Sequence, residues 1–183
     1  MDAAKFPNGT ERRAACEMRA AGRRLEGYAS VFDVETRIGN FNEVVRPGAF
    51  RSSLLDGHDI LGLMDHDANR LLGRTKAGTL RLAEDARGLH FEIDVADTGL
   101  GRDALAMASR GDLGGASFLF RPVDEAWPTR DRRELRAVTL LEISIVTSFP
   151  AYSETEVHAR SMLRATDDMR TALRLRRMMA EVI

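Results

Sequence analysis

Cysteine is almost missing from this chain. Among 183 residues there is one, Cys16, so no intrachain disulfide can form. It lies in the charged stretch ERRAACEMRAAGRR with no histidine nearby, which reads as a spectator thiol rather than a nucleophile. No tract approaches the roughly 18 consecutive apolar residues that a membrane-spanning helix requires. The first residues also lack the apolar segment of a secretory signal. These absences together point to a reducing cytoplasmic setting. Nor is charge of one sign in excess: 27 basic residues stand against 28 acidic ones. Direct binding to nucleic acid or to a membrane is therefore not expected. The chain has no internal repeat and no βαβ alternation, so a wound parallel sheet is not indicated. It has no HExxH, no HxH and no cysteine cluster either, and no metal or other cofactor is expected.

What is present suffices for one domain with a single core, given 44% hydrophobic residues. Residues 1–23, rich in arginine and alanine, read as a flexible N-terminal arm. The main domain, 24–157, opens with the strand RLEGYASVF, whose Gly27 suggests a bulge, followed by a polar loop, DVETRIGNFNE. A turn and short helix follow in VVRPGAFRSSLLDG, with Phe50, Ser53 and Leu54 on one face. DILGLMDH is a further strand. TLRLAED and GLHFEIDV read as a hairpin turning at Asp85 to Gly88, and Leu89, Phe91, Ile93 and Val95 alternate with His90, Glu92 and Asp94. An amphipathic helix is predicted over 99–110, with Asp97 or Thr98 as its cap. GGASFLFRPVDEAW and RELRAVTLLEISIVT then predict two antiparallel strands. Residues 158–183 read as a C-terminal helical tail starting at Thr166 with Asp167 and Asp168 and striped by Met169, Ala172, Leu173 and Met179.

Three separated segments carry reactive groups: MDHD at 64–67, GGASFLF at 114–120 and LLEISIV at 140–146. They offer His66, Ser117 and Glu142, the residue types of a base, a hydroxyl nucleophile and a carboxylate that orients the base. An α/β-hydrolase elbow would need glycine at 119, where this chain has Leu119. Gly114 and Gly115 nevertheless permit close backbone approach before Ser117. Glu142 is the physical anomaly. It interrupts VTLLEISIV, a strand apolar on both faces, and a buried carboxylate costs several kcal/mol unless it is paired. Arg136 or Arg74 would pair it structurally, whereas His66 would make it an orienter of the base; Ser144 shares its face. Asp65, His66 and Asp67 leave a metal-dependent hydrolase open as an alternative. His58 and His158 lie in polar, turn-like surroundings and read as surface residues.

GYASVFD at 27–33, RPGAF at 46–50, the run from Leu61 to Thr75, GGASFLF, and LLEISIVTSFPAY at 140–152 together resemble the prohead maturation proteases of tailed phages and prophages. The resemblance spans about residues 27–157. It implies a mainly β fold with α elements, similar to the herpesvirus assembly proteases: a small antiparallel β-barrel surrounded by helices. It also implies a serine endopeptidase with His66 as catalytic histidine, Ser117 as nucleophile and Glu142 as third member, without cofactor. Leu119 stands where the family has a small residue, which would narrow the pocket. The implied partners are the major capsid protein with its scaffolding segment and other protease copies inside the immature procapsid, in the bacterial host cytoplasm. Self-cleavage, with the two tails as candidate sites, is implied as well. A non-enzymatic capsid assembly or scaffold protein is the alternative of a different class.

Overall fold

The computed structural model describes residues 9–147, Cys16 excepted. The predicted tail at 158–183 lies outside the described residues, as does His158. The chain begins with strands β1 (Glu11–Ala15), β2 (Glu17–Ala21), β3 (Arg24–Val31), β4 (Thr36–Ile38) and β5 (Phe41–Val45). A short helix, α1 (Arg51–Leu55), leads into the hairpin β6 (Leu61–Met64) and β7 (Asp67–Arg74). The hairpin β8 (Leu80–Glu84) and β9 (Gly88–Asp94) precedes helix α2 (Gly99–Arg110), and two long strands follow, β10 (Gly115–Thr129) and β11 (Arg132–Val146).

These elements make one sheet of seven strands, ordered β1-β10-β11-β5-β4 with β6 on β11 and β7 on β6, and one of four, ordered β2-β3-β9-β8. The protein is mainly β, as expected, but both sheets are open, which corrects the expected closed barrel. The reason lies in β11, which changes partner along its length. Arg132 to Leu135 pair with β5 and Glu142 to Ile145 pair with β6, both in parallel, so the sheet forks instead of curling shut. Among the described residues only α1 and α2 are α-helical, five and twelve residues long, which is too little to wrap a barrel.

Local chemistry explains the elements. The alternation of β9 buries Leu89, Phe91 and Ile93 completely, while His90 stays on the other face, edge-on to Tyr28 at 5.2 Å. The Thr98 hydroxyl caps α2 by accepting from the Gly101 N–H, and Gly111 ends the helix at φ +75°. Phe118 packs between Phe50, edge-on at 5.4 Å, and Phe120, stacked at 5.2 Å, at the centre of the core. The strand irregularity expected at Gly27 falls instead between Tyr28 and Ser30. The stretch expected to be a polar loop holds β4 and the first three residues of β5, paired antiparallel.

Residues 11–21 of the expected arm are strands: β1 pairs with β10, and β2 with β3. The chain therefore crosses from one sheet to the other between Ala15 and Glu17. What anchors β1 is a buried ionic cluster. Glu11, Arg13, Glu43 and Arg133 are all nearly inaccessible to solvent. The Arg13 Nη2 donates to Glu11 Oε2 and Glu43 Oε2, both at 2.7 Å, and Arg133 donates to Glu11 at 2.9 Å and to Glu43 at 3.1 Å. Burying such charges is costly unless each finds its counterpart, and here two guanidinium groups meet two buried carboxylates, with Glu125 a further partner of Arg133. Burial pushes the Glu11 carboxyl up, but Arg133 and Arg13 outweigh it and hold it below the ordinary value.

Candidate active site

The connection between β6 and β7 is two residues long, and both have positive φ: Asp65 at 53° and His66 at 60°. Two-residue hairpin loops take this left-handed form because its twist matches the strands, and aspartate and histidine are among the non-glycine residues that tolerate it. MDHD is thus a strand end, a tight turn and a strand start, and His66 projects from the turn. The Asp65 carboxylate fastens that turn to the end of β11 by accepting from the Thr147 N–H at 2.8 Å and its hydroxyl at 2.9 Å, while Arg70 donates at 2.7 Å. Burial raises the Asp65 carboxyl, but the Thr147 and Arg70 bonds prevail and lower it. Asp67 accepts from the Asn69 N–H at 2.9 Å. The two carboxylates beside His66 are therefore directed to Thr147, Arg70 and Asn69 rather than to a shared centre. Among the described residues no group of three metal-ligating side chains converges.

Ser117 owes its position to strand alternation. Ala116, Phe118 and Phe120 turn into the core, which sends Ser117 and Leu119 to the opposite face. The β10–β11 register sets Ser117 opposite Ser144 and Leu119 opposite Glu142, so these four side chains share that face. A register irregularity follows Leu119, the kind of local ladder break that re-aims side chains beside functional sites. The parallel pairing of Ser144 with Leu63 and Ile145 with Met64 then carries the Asp65-His66 turn to the same place.

The three residues meet. His66 Nε2 lies 3.0 Å from Ser117 Oγ, and His66 Nδ1 forms a short hydrogen bond with Glu142 Oε1. The Ser144 hydroxyl donates to the same Oε1 at 2.8 Å and accepts the His66 backbone N–H at 3.2 Å. The burial of Glu142 is thereby satisfied, and among the described residues no arginine forms an ion pair with it. Arg74 goes to Asp59 and Arg136 to Glu134. Burial pushes the Glu142 carboxyl up, yet the hydrogen bonds from His66 and Ser144, helped by the charge of Arg12, hold it below the ordinary value. An ionised carboxylate only accepts, so the Nδ1 proton of His66 faces Glu142 and the Nε2 lone pair faces Ser117. The Ser117 hydroxyl has a second acceptor: it donates to the Arg13 carbonyl oxygen at 2.7 Å. One proton thus has two destinations, an imidazole nitrogen and a main-chain oxygen of β1.

The match to a protein-family model spans residues 11–169, and the model describes the caudovirus prohead serine protease. The chain belongs to this family. No curated protein and no solved structure matches it. The prohead-protease match starts at Glu11, the first residue of β1, so the strand that supplies the Arg13 carbonyl lies inside the family region. Family membership identifies a serine peptidase of phage capsid maturation that acts with the capsid protein in the procapsid. Among the described residues no helix is long and apolar enough to cross a membrane.

One feature of this candidate site left no mark in the sequence, and a second was only partly visible. Nothing in ERRAAC marks a backbone carbonyl as a partner of Ser117, since main-chain acceptors leave no trace in residue types. Ser144 was visible only as a neighbour on the Glu142 face; a short polar side chain at i+2 on an apolar strand was the available signal. His58, expected at the surface, is half-buried and lies 2.6 Å from the Leu140 carbonyl, through its Nε2.

Proposed function

We propose that His66, Ser117 and Glu142 form the catalytic triad of an endopeptidase that removes the scaffolding segment from the major capsid protein inside the procapsid, and that cleaves its own chain. The observation that carries this reading is the continuous path Ser117 Oγ, His66 Nε2, His66 Nδ1, Glu142 Oε1.

In the proposed reaction the Ser117 proton turns from the Arg13 carbonyl to His66 Nε2 as Oγ bonds to the scissile carbonyl carbon. Glu142 holds the ring in the tautomer that leaves Nε2 free and stabilises the imidazolium that forms. His66 then passes the proton to the leaving amine nitrogen, the C–N bond breaks, and an acyl-enzyme remains. Water, deprotonated by His66, attacks the ester, and Ser117 regains its proton. Leu119, opposite Glu142 on the same face, would narrow the substrate cleft beside the nucleophile.

Ser117→Ala co-expressed with the capsid protein tests the reading. Loss of capsid-protein processing is expected, with the full-length form persisting; processing at the wild-type extent would overturn it. A fluorophosphonate probe separates the peptidase from a purely structural assembly role. Labelling that disappears in Ser117→Ala supports the peptidase, and labelling indifferent to that change argues for the structural role.

A further inference from the structure

We propose that Ser144 is a positioning residue of this centre, joining the Glu142 carboxylate to the His66 backbone through a single hydroxyl. The inference rests on the triad reading above.

A serine hydroxyl has one proton to give and lone pairs to receive, and Ser144 uses both capacities inside the site. It donates to Glu142 Oε1 at 2.8 Å and accepts from the His66 N–H at 3.2 Å. Ser144 has 0% exposure, so no bulk water stands ready to replace either bond. The donation matters because Oε1 is also the oxygen that receives His66 Nδ1. Two donors converging on one oxygen fix the rotation of the carboxylate, and with it the plane in which the imidazole is held. The acceptance matters because the His66 N–H belongs to a residue at φ +60°, two residues beyond the last ladder pair of β6. Asp65 is the last residue of the turn to bond the β11 backbone, its N–H going to the Ile145 carbonyl at 2.8 Å. At His66 the Ser144 side chain takes over from the main chain. Ser144 therefore sets both the ring partner and the backbone from which the ring projects. It also stands directly across the ladder from Ser117, so a shift at 144 is felt at the nucleophile.

A merely structural serine would affect folding and leave the reactivity of the folded protein alone. The test is Ser144→Ala in the full chain, with three readouts: thermal unfolding, the rate constant for fluorophosphonate labelling of Ser117, and the low-field NMR resonance of the His66 Nδ1 proton. Misplacement of a reacting group by a fraction of an ångström is expected to slow labelling of the folded protein about 10-fold to 100-fold. The Nδ1 resonance should move or broaden, and Ser144→Thr, which keeps the hydroxyl, should restore most of both. A labelling rate within about twofold of wild type together with an unmoved resonance would overturn the proposal. Should Ser144→Ala fail to fold, Ser144→Cys, close in shape but a weak donor, is read against the same two outcomes. Absence of Ser117-dependent labelling in the wild type sinks the triad reading instead, and the resonance then decides the Ser144 link by itself.

Discussion

The hydroxyl of Ser117 donates to the carbonyl oxygen of Arg13 although the two residues are 104 positions apart. Ser117 is therefore held by β1, and β1 is held by the buried cluster of Glu11, Arg13, Glu43 and Arg133. The integrity of the site depends on an ionic cluster that contributes none of the proposed reacting groups.

Glu43→Gln should reveal that dependence. It leaves Arg13 and Arg133 buried with one fewer carboxylate, and uncompensated buried charge costs about 3 to 5 kcal/mol. Urea unfolding is expected to show a loss of this size. A change below about 1 kcal/mol would mean that the cluster is not what secures β1.

Acid should weaken the fold through Glu142. Its carboxyl is held below the ordinary glutamate value, so its contribution is complete above that ordinary value and is lost as pH falls through the lower folded one. Glu142→Gln removes the titrating group. The variant is expected to lose less stability than wild type between about pH 5 and pH 3, measured as the urea midpoint. Parallel curves for the two proteins would contradict the assignment.

At position 65 the usual order of alanine over glycine should reverse. Both substitutions remove the bonds to Thr147 and Arg70, but alanine must also adopt φ near 53°. That conformation costs an L-residue about 1 to 2 kcal/mol. Asp65→Gly should therefore be more stable than Asp65→Ala by about this amount in chemical denaturation, and the opposite order would rule out the strained turn.

Helix α2 offers a converse case at Gly101. Glycine to alanine within a helix ordinarily stabilises by about 0.5 to 1 kcal/mol. Here the new methyl group would collide with the Ala96 carbonyl oxygen and come within 2.7 Å of Val95 Cγ1. Gly101→Ala is expected to destabilise by about 1 to 3 kcal/mol, and a rise in melting temperature would refute the packing argument.

Patterns with a local cause were legible in the sequence. Alternation identified β9, a threonine cap and a C-terminal glycine delimited α2, and the out-of-place carboxylate of Glu142 directed attention to a partner that proved to be His66 rather than Arg74 or Arg136. Patterns with a distant cause were not. β1 looks solvated because its charged residues find their counterparts at Glu43 and Arg133, far along the chain. The parallel pairing of β11 with β5 and β6 leaves no hairpin signature, so nothing in the residues opposed the barrel that the family resemblance implies.

That parallel pairing also sets a condition. His66 and Glu142 are 76 residues apart, and they meet only when β6 docks beside the last described strand, a long-range closure with an entropic cost. A chain in which β6 has not reached β11 lacks the contact between His66 and Glu142. The proposed triad therefore exists only in a chain whose β6 and β11 have already met.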